Sequence, residues 1–372
     1  MIFKKLKDQN LLYILSNQAG PGVYLKVKET LSAAEVLGYE TYLFEVKQNS
    51  KYELIRCLKT ILQTDFRYIF IRDFGNINLL ILPFLLLARI QGKFLILDIP
   101  TPYKGSIGEI LLNSQLSTWV KWRGIFFMYM NGPWSLWVFN LIVQYGDEMP
   151  YFEFLNKKRT IQLGNGINPN RIRARDIDHN FEYYTTIQLV GVATIQPYNG
   201  YDRVVKAMHE WNIVQRKNPQ VYFHIVGSET KCSEKLRILV EDLGLKNQVV
   251  FHGPRDQKYI SELYDVSHLA VSSIGFFRIN LNSTSNLKSR EYCLAGIPFI
   301  ATGHDVDFET HLPFRLVVSN NETIDELLDI FSNFPDNIKN LHVDDIRTYA
   351  KTKLTYTAKL IKLGFKNLKV PR

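Results

Sequence analysis

The stretch from Asn282 to Pro298 reads Asn-Ser-Thr-Ser-Asn-Leu-Lys-Ser-Arg-Glu-Tyr-Cys-Leu-Ala-Gly-Ile-Pro and gathers more chemistry than any other part of the chain. A run of small polar residues leads into a predicted helix whose first two turns carry Lys288, Arg290 and Glu291, and Gly296 ends that helix before a strand. Ser283, Thr284, Ser285, Asn286 and Leu287 would offer hydroxyls and free amide N–H groups to an anion. Lys288 and Arg290 would hold a diphosphate, and Glu291 would accept hydrogen bonds from ribose hydroxyls. The same residues also read as an N-capped surface helix with a Lys288–Glu291 pair at i, i+3 spacing.

Other places carry weaker signals. Ser16 to Gly22 runs from a strand into a helix, and the turn containing Gly20 and Gly22 suits an anion or a sugar hydroxyl, or is simply tight. With Leu25 where a third glycine would stand, it is not the dinucleotide fingerprint, so NAD is not expected. Asp98 closes a strand ahead of Pro100 and Pro102 and is a candidate catalytic base or a cap for that loop. Gly253, Pro254 and Arg255 follow another strand, where Arg255 would stack on a nucleobase or lie in solvent. The Asp-x-Asp triplets Asp176/Asp178 and Asp305/Asp307 lie outside the context that metal-dependent sugar transfer uses. His224, His252 and His304 read as packed or loop residues, and no metal is expected. Cys57, Cys232 and Cys293 form no Cys-x-x-Cys pair, so neither zinc nor a structural disulfide is expected.

The elements that must position these groups follow from hydrophobic period. Short Ile-, Val-, Phe- and Tyr-rich runs alternate with segments of helical period, which implies crossover helices and a parallel sheet. Predicted strands are 11–16, 42–46, 68–71, 94–98 and 140–145, then 187–190, 221–226, 249–251, 269–272 and 299–301. Helices are predicted over 23–37 and 76–90, with a capping-box start at Thr323 and Glu326 and a final helical tract over about 344–368. A glycine- and arginine-bearing break at 163–180 marks a linker. The expected domains are 1–170, 171–343 and a tract over 344–372 that packs back on the first.

With 46% hydrophobic and 22% charged residues over 372 positions the chain is a folded, two-domain protein. Residues 1–180 hold 22 Lys/Arg against 15 Asp/Glu, so the first half is the basic one and favours an anionic partner. No basic-aromatic motif of a nucleic-acid module occurs, and nucleic acid is not an expected partner. The greasy run 77–90 is broken by Asn78, Pro83 and Arg89 and is too short to span a bilayer. The N-terminus lacks a signal-peptide pattern, so the expected location is the cytoplasm. Trp119, Trp122, Trp134 and Trp137 interleave with Lys121 and Arg123, a mixture suited to the surface of an anionic membrane or to core packing.

The order Gly191-Val192-Ala193, Asn199-Gly200-Tyr201-Asp202, Ile225-Val226-Gly227, Phe251-His252-Gly253, Leu287-Lys288-Ser289-Arg290-Glu291-Tyr292 and Gly296-Ile297-Pro298 resembles the donor domain of GT-B glycosyltransferases. More narrowly it resembles their group-1 retaining family, with Asn165-Gly166-Ile167 matching an upstream loop. The resemblance implies an α/β fold of two Rossmann-like parallel-sheet domains facing across a cleft. It implies a nucleoside-diphosphate sugar as donor substrate, without a further cofactor, and a glycan or lipid-linked saccharide as acceptor, in surface polysaccharide or glycoconjugate synthesis. It places Glu291 on the ribose. The 283–287 loop, with Gly227, Asn199 and Gly200, is expected around the donor, and the tryptophan cluster of the first half leads to an expected peripheral position at the inner membrane face.

Three departures stand out: Ser283 replaces the family's first glutamate, and Val192 and Asn199 replace the arginine and lysine that bind the leaving diphosphate. Some cation must stabilise that leaving group. The expectation is that Lys288 and Arg290, with Arg278 upstream, have taken over. The alternative is a catalytically silent partner of an active transferase.

Overall fold

The computed structural model describes residues 7–16, 20–46, 51–72, 81–99, 101–113, 115–176, 185–214, 219–283, 285–308, 311–338 and 340–366. The chain divides into two compact units: unit 1 is Met1–Gly166 with Tyr356–Arg372, and unit 2 is Ile167–Thr355.

Unit 1 contains β1 (Lys7–Ser16), α1 (Pro21–Val36), β2 (Glu40–Val46), α2 (Lys51–Gln63), β3 (Phe66–Arg72), α3 (Leu82–Ile90), β4 (Phe94–Ile99), α4 (Tyr103–Leu112), α5 (Thr118–Leu136), β5 (Leu141–Gln144), α6 (Pro150–Glu153) and β6 (Thr160–Gln162). Unit 2 contains β7 (Thr186–Val192), α7 (Tyr201–Val214), β8 (Gln220–Val226), α8 (Lys231–Asp242), β9 (Val249–Gly253), α9 (Gln257–Val266), β10 (Leu269–Val271), α10 (Leu287–Ala295), β11 (Phe299–Thr302), β12 (Arg315–Val318), α11 (Asp325–Ser332), α12 (Phe334–Ile338) and α13 (Val343–Lys353). The chain then returns to unit 1 with α14 (Tyr356–Lys362).

Each unit is built on a six-stranded sheet, ordered β2-β1-β3-β4-β5-β6 in unit 1 and β12-β11-β10-β7-β8-β9 in unit 2, and every pairing is parallel. Helices cover both faces of such a sheet, so its strands are apolar at successive positions. In β1, Leu12 and Ile14 face one core cluster while Leu11, Tyr13 and Leu15 face another. Both sheets reverse their strand order: between β1 and β3 in unit 1, and between β7 and β10 in unit 2.

Some expectations need correction. The helix expected from Asn76 begins at Leu82 among the described residues, and residues 76–80 lie outside them. The edge strands β6 and β12 were not anticipated. The Thr323/Glu326 capping box does not form, because Glu326 accepts from the Ser319 amide at 3.0 Å and the Thr323 hydroxyl turns to Asn321 at 2.6 Å. The expected boundary at residue 170 falls at Gly166, and the tract over 344–368 is two helices. Of these, α13 packs on α10 in unit 2 and α14 on α1 in unit 1.

Candidate active site

In an open parallel sheet the crevice beyond the strand ends at the reversal of strand order is where ligands bind. In unit 2 that point lies beyond β7 and β10, and α10 starts beside it. Tyr292 of α10 ties the two strand ends together, since its hydroxyl accepts from the Val192 amide at 3.0 Å and donates to the Val271 carbonyl at 3.3 Å. The Ser272 and Ser289 hydroxyls meet at 2.7 Å, fixing the first turn of α10 against the end of β10.

Asn286 is the N-cap of α10, yet its side chain accepts no bond from the helix amides and instead lies 3.4 Å from Ser272 Oγ. The amides of the first turn therefore have no cap from their own side chain, which leaves the positive end of the helix dipole to an outside acceptor. Gly191 makes room here: a Cβ on it would lie 2.7 Å from the ring of Tyr201. Lys288 extends to that tyrosine, with Nζ 3.4 Å from its hydroxyl and 5.1 Å from its ring centroid. No carboxylate among the described residues pairs with Lys288, and burial pushes its ammonium down to about 7. An anion in front of the uncapped turn would recharge it.

Arg290 does not share this position. It is fully buried; its Nη2 donates to Asp305 and Asp307 at 2.6 Å each, and its Nη1 donates to Asp305 and to the Asn286 carbonyl. The expectation that Arg290 reaches a diphosphate is corrected: it clamps the loop after β11 to α10, and the second Asp-x-Asp triplet is its counter-charge. Arg278 is committed as well, to Asp202 at 2.7 Å and Glu322 at 2.8 Å. The surface pair Lys288–Glu291 does not form either. Glu291 faces Arg171 at 3.5 Å, and its carboxyl is raised above its usual range because burial outweighs that arginine.

The remaining candidates divide. Asn199 is buried and closes its own turn: its Oδ1 accepts from the Gln196 amide at 2.7 Å and its Nδ2 donates to Ser273 at 3.1 Å, so it holds the loop and replaces the expected lysine only in position. Gly200 has φ +70° and lies so close to Ile274 and Gly275 that a Cβ would meet them at 2.8–2.9 Å. Gly227 lets β8 end against the Ala193 carbonyl, 1.7 Å from where its Cβ would stand. Both glycines shape the strand-end loops. Ser283 is buried and bridges to His304; Ser285 and Leu287 are half-buried, and Thr284 lies outside the described residues. Arg255 is exposed and stacks over Tyr259 at 4.7 Å.

Gly20, Gly22 and Asp98 belong to unit 1. Gly20 is the N-cap of α1 and Gly22 lies in its first turn, with open space beside each. Asp98 is buried, and its Oδ2 accepts from Tyr13 at 2.5 Å and from Arg72 at 2.5 Å. Although burial alone would raise its pKa, the Lys26 and Arg72 charges and the tyrosine hydroxyls hold it down to about 2. A carboxylate that weak and enclosed is a poor general base, so that expectation is also corrected. Sequence reasoning missed the parts played by Tyr201 and Tyr292. Their signal was a tyrosine inside each of two of the motifs quoted above.

Residues 173–276 match the model of the family described as "Glycosyl transferases group 1". No curated protein sequence matches the chain. Among solved structures, the chain is similar to HepE from Anabaena, determined in complex with UDP (TM-score 0.61, 13% identity, 95% of this chain and 99% of that one). It is similar to a glycosyltransferase from Rickettsia africae (TM-score 0.64, 13% identity, 99% and 100%). It is also similar to WaaG, a glycosyltransferase involved in lipopolysaccharide biosynthesis (TM-score 0.59, 15% identity, 95% and 98%). At such identities the likeness carries the fold, and the family match carries the second unit. The chain therefore has the fold of these glycosyltransferases, and residues 173–276 of its second unit match the group-1 family.

Proposed function

We propose that the chain moves a sugar from a nucleoside-diphosphate sugar to a glycan or lipid-linked saccharide, with retention of configuration, in the synthesis of a surface polysaccharide or glycoconjugate. The observation that carries this reading is the buried Lys288 ammonium, which no carboxylate among the described residues pairs, beside the start of α10, where the N-cap Asn286 side chain accepts from no helix amide. As the bond from the sugar C1 to the diphosphate breaks, negative charge collects on the departing oxygen. Lys288, which takes up a proton from solvent when the diphosphate binds, and the helix amides stabilise it. The acceptor oxygen bonds to C1 from the same face, and its proton passes to the departing phosphate, which requires no carboxylate base. Glu291 remains the group for the ribose hydroxyls, exchanging them for Arg171.

That HepE was solved with UDP makes uridine donors the first to assay. A thermal-shift panel of UDP, GDP, ADP and dTDP selects the nucleotide, and donor hydrolysis is then measured for the protein and for Lys288→Met. Turnover that falls at least about a hundredfold in the variant supports the reading. Nucleotide binding without any turnover in either protein favours a silent partner instead.

The membrane part of the reading rests on α5. Its inner face buries Ile125, Gly132 and Leu136, but its outer face is apolar too, with Trp119 68% and Trp122 60% exposed and Phe126, Met130 and Trp134 exposed beside them. A water-facing helix carries polar residues on that side. Lys121 and Arg123 lie among these rings, which suits an anionic leaflet that presents a lipid-linked acceptor. No described helix is long and apolar enough to cross a membrane. Flotation with phosphatidylglycerol vesicles tests the surface attachment. Binding lost in Trp119→Ser/Trp122→Ser supports it, and absence of binding at low salt refutes it.

A further inference from the structure

We propose that Tyr201 is the positioning residue of Lys288: its hydroxyl holds Nζ beside the start of α10 in both of the lysine's states, accepting from the ammonium and donating to the amine. The inference rests on the assignment of Lys288 to the leaving diphosphate. It adds what keeps that lysine in place until the diphosphate arrives.

Tyr201 opens α7 and is 2% exposed. The turn before it is closed by Asn199, and Phe223 meets its ring edge-on with centroids 5.2 Å apart. Gly191 presents bare backbone where the ring lies, and a Cβ there would stand 2.8 Å from the phenol oxygen. A phenylalanine would fill the same space, so the hydroxyl needs a reason of its own. A buried hydroxyl requires a partner. Among the described residues that partner is Lys288 Nζ, at 3.4 Å.

A phenol suits a lysine that changes charge, because it carries both an O–H and acceptor lone pairs, whereas an ammonium only donates. Burial and the nearby Tyr292 raise the Tyr201 phenol well above its ordinary range, so its proton stays in place while the lysine titrates. A carboxylate in this position would hold the lysine charged and compete with the diphosphate. The charged side chains of the surrounding elements are engaged with one another: Glu291 with Arg171, Arg290 with Asp305 and Asp307, and Asp202 with Arg278 and Lys206. Burial is what lowers Lys288 to about 7. The hydrogen bond from the ammonium is the stronger of the two that the hydroxyl can make, so losing the hydroxyl weakens the lysine's hold on its proton.

Tyr201→Phe keeps the ring and removes the hydroxyl alone. The full chain and this variant are pulsed with acetic anhydride between about pH 5.5 and about pH 9, and acetylation of Lys288 is followed by peptide mass spectrometry. The midpoint is expected near pH 7 in the wild-type protein. In Tyr201→Phe it is expected about one pH unit lower, a tenfold loss of proton affinity. Calorimetry at pH 7 with UDP, or with whichever of GDP, ADP and dTDP the thermal-shift panel selects, should then show affinity lower by about fivefold in Tyr201→Phe. Lys288→Met and Lys288→Met/Tyr201→Phe should bind equally, since the hydroxyl acts through the lysine. An unchanged midpoint, or an equal loss of affinity in the Lys288→Met background, makes the hydroxyl a packing group and overturns the proposal. Donor hydrolysis as fast in Lys288→Met as in the wild-type protein would instead overturn the assignment of Lys288 to the diphosphate, and the acetylation midpoint still decides what Tyr201 does.

Discussion

The ammonium of Lys288 rests 3.4 Å from the hydroxyl of Tyr201, a partner that neither neutralises it nor supplies a second charge. A lysine held near neutrality in this way binds anions in a proton-coupled manner. Because its folded pKa is lowered to about 7, the free protein carries the charge below that value and loses it above. Affinity for the selected nucleoside diphosphate is therefore expected to fall by about tenfold between pH 6.5 and pH 8.5. Titration calorimetry in buffers of different ionisation enthalpy should show proton uptake at pH 8, and Lys288→Met should flatten the profile.

Arg290 gives the opposite outcome to Lys288. Its removal leaves Asp305 and Asp307 without the guanidinium that both bind, so Arg290→Met is expected to cost about 3–5 kcal/mol of stability. Urea denaturation measures this. A variant that keeps wild-type stability while losing turnover would return Arg290 to the catalytic set.

Gln188, His224, His252 and Tyr259 form a chain of contacts at 3.0, 3.0 and 2.8 Å on the β7–β9 side of unit 2. Burial is the main cause that lowers both imidazole pKa values below 6.5, with the neighbouring charge adding to it. The unfolded chain then binds more protons, so stability present above about pH 6.5 declines as the pH falls below it. Melting temperatures from pH 8 to pH 5 should show the decline, and His224→Gln should reduce its slope.

Glu148 caps α4 from a distant loop: its carboxylate accepts from the amides of Tyr103, Lys104 and Met149 at 2.6, 2.8 and 2.8 Å. Glu148→Ala strands buried donors and is expected to cost about 2–3 kcal/mol, with a lower melting temperature and no change in nucleotide affinity. Equal melting temperatures would show that water replaces the carboxylate without loss.

The fold was legible where local pattern and tertiary role agree. Runs such as Leu11–Leu15 are apolar at every position because both sheet faces are covered, and this reads as a parallel strand without further information. β6 and β12, of three and four residues at sheet edges, are too short to impose a pattern. The corner at α10 was legible as a helix start after small polar residues. What its cations do was not, because Arg290 finds its carboxylates fifteen and seventeen residues further on and Lys288 finds a tyrosine from α7. Spacing identifies which groups are near one another along a helix and is silent on the direction each side chain takes. Asp98 shows the same limit: its position at a strand end was read correctly, and its arginine and tyrosine neighbours come from two other strands.

The insertion of Ile167–Thr355 within the first unit orders events during synthesis. All six strands of the first sheet precede the insertion, yet α14 and the Phe365 that packs against Tyr39 and Tyr68 follow it. The inserted unit is complete before its host is, so the nascent host waits, with Tyr39 and Tyr68 lacking Phe365, until the segment after Thr355 has been made.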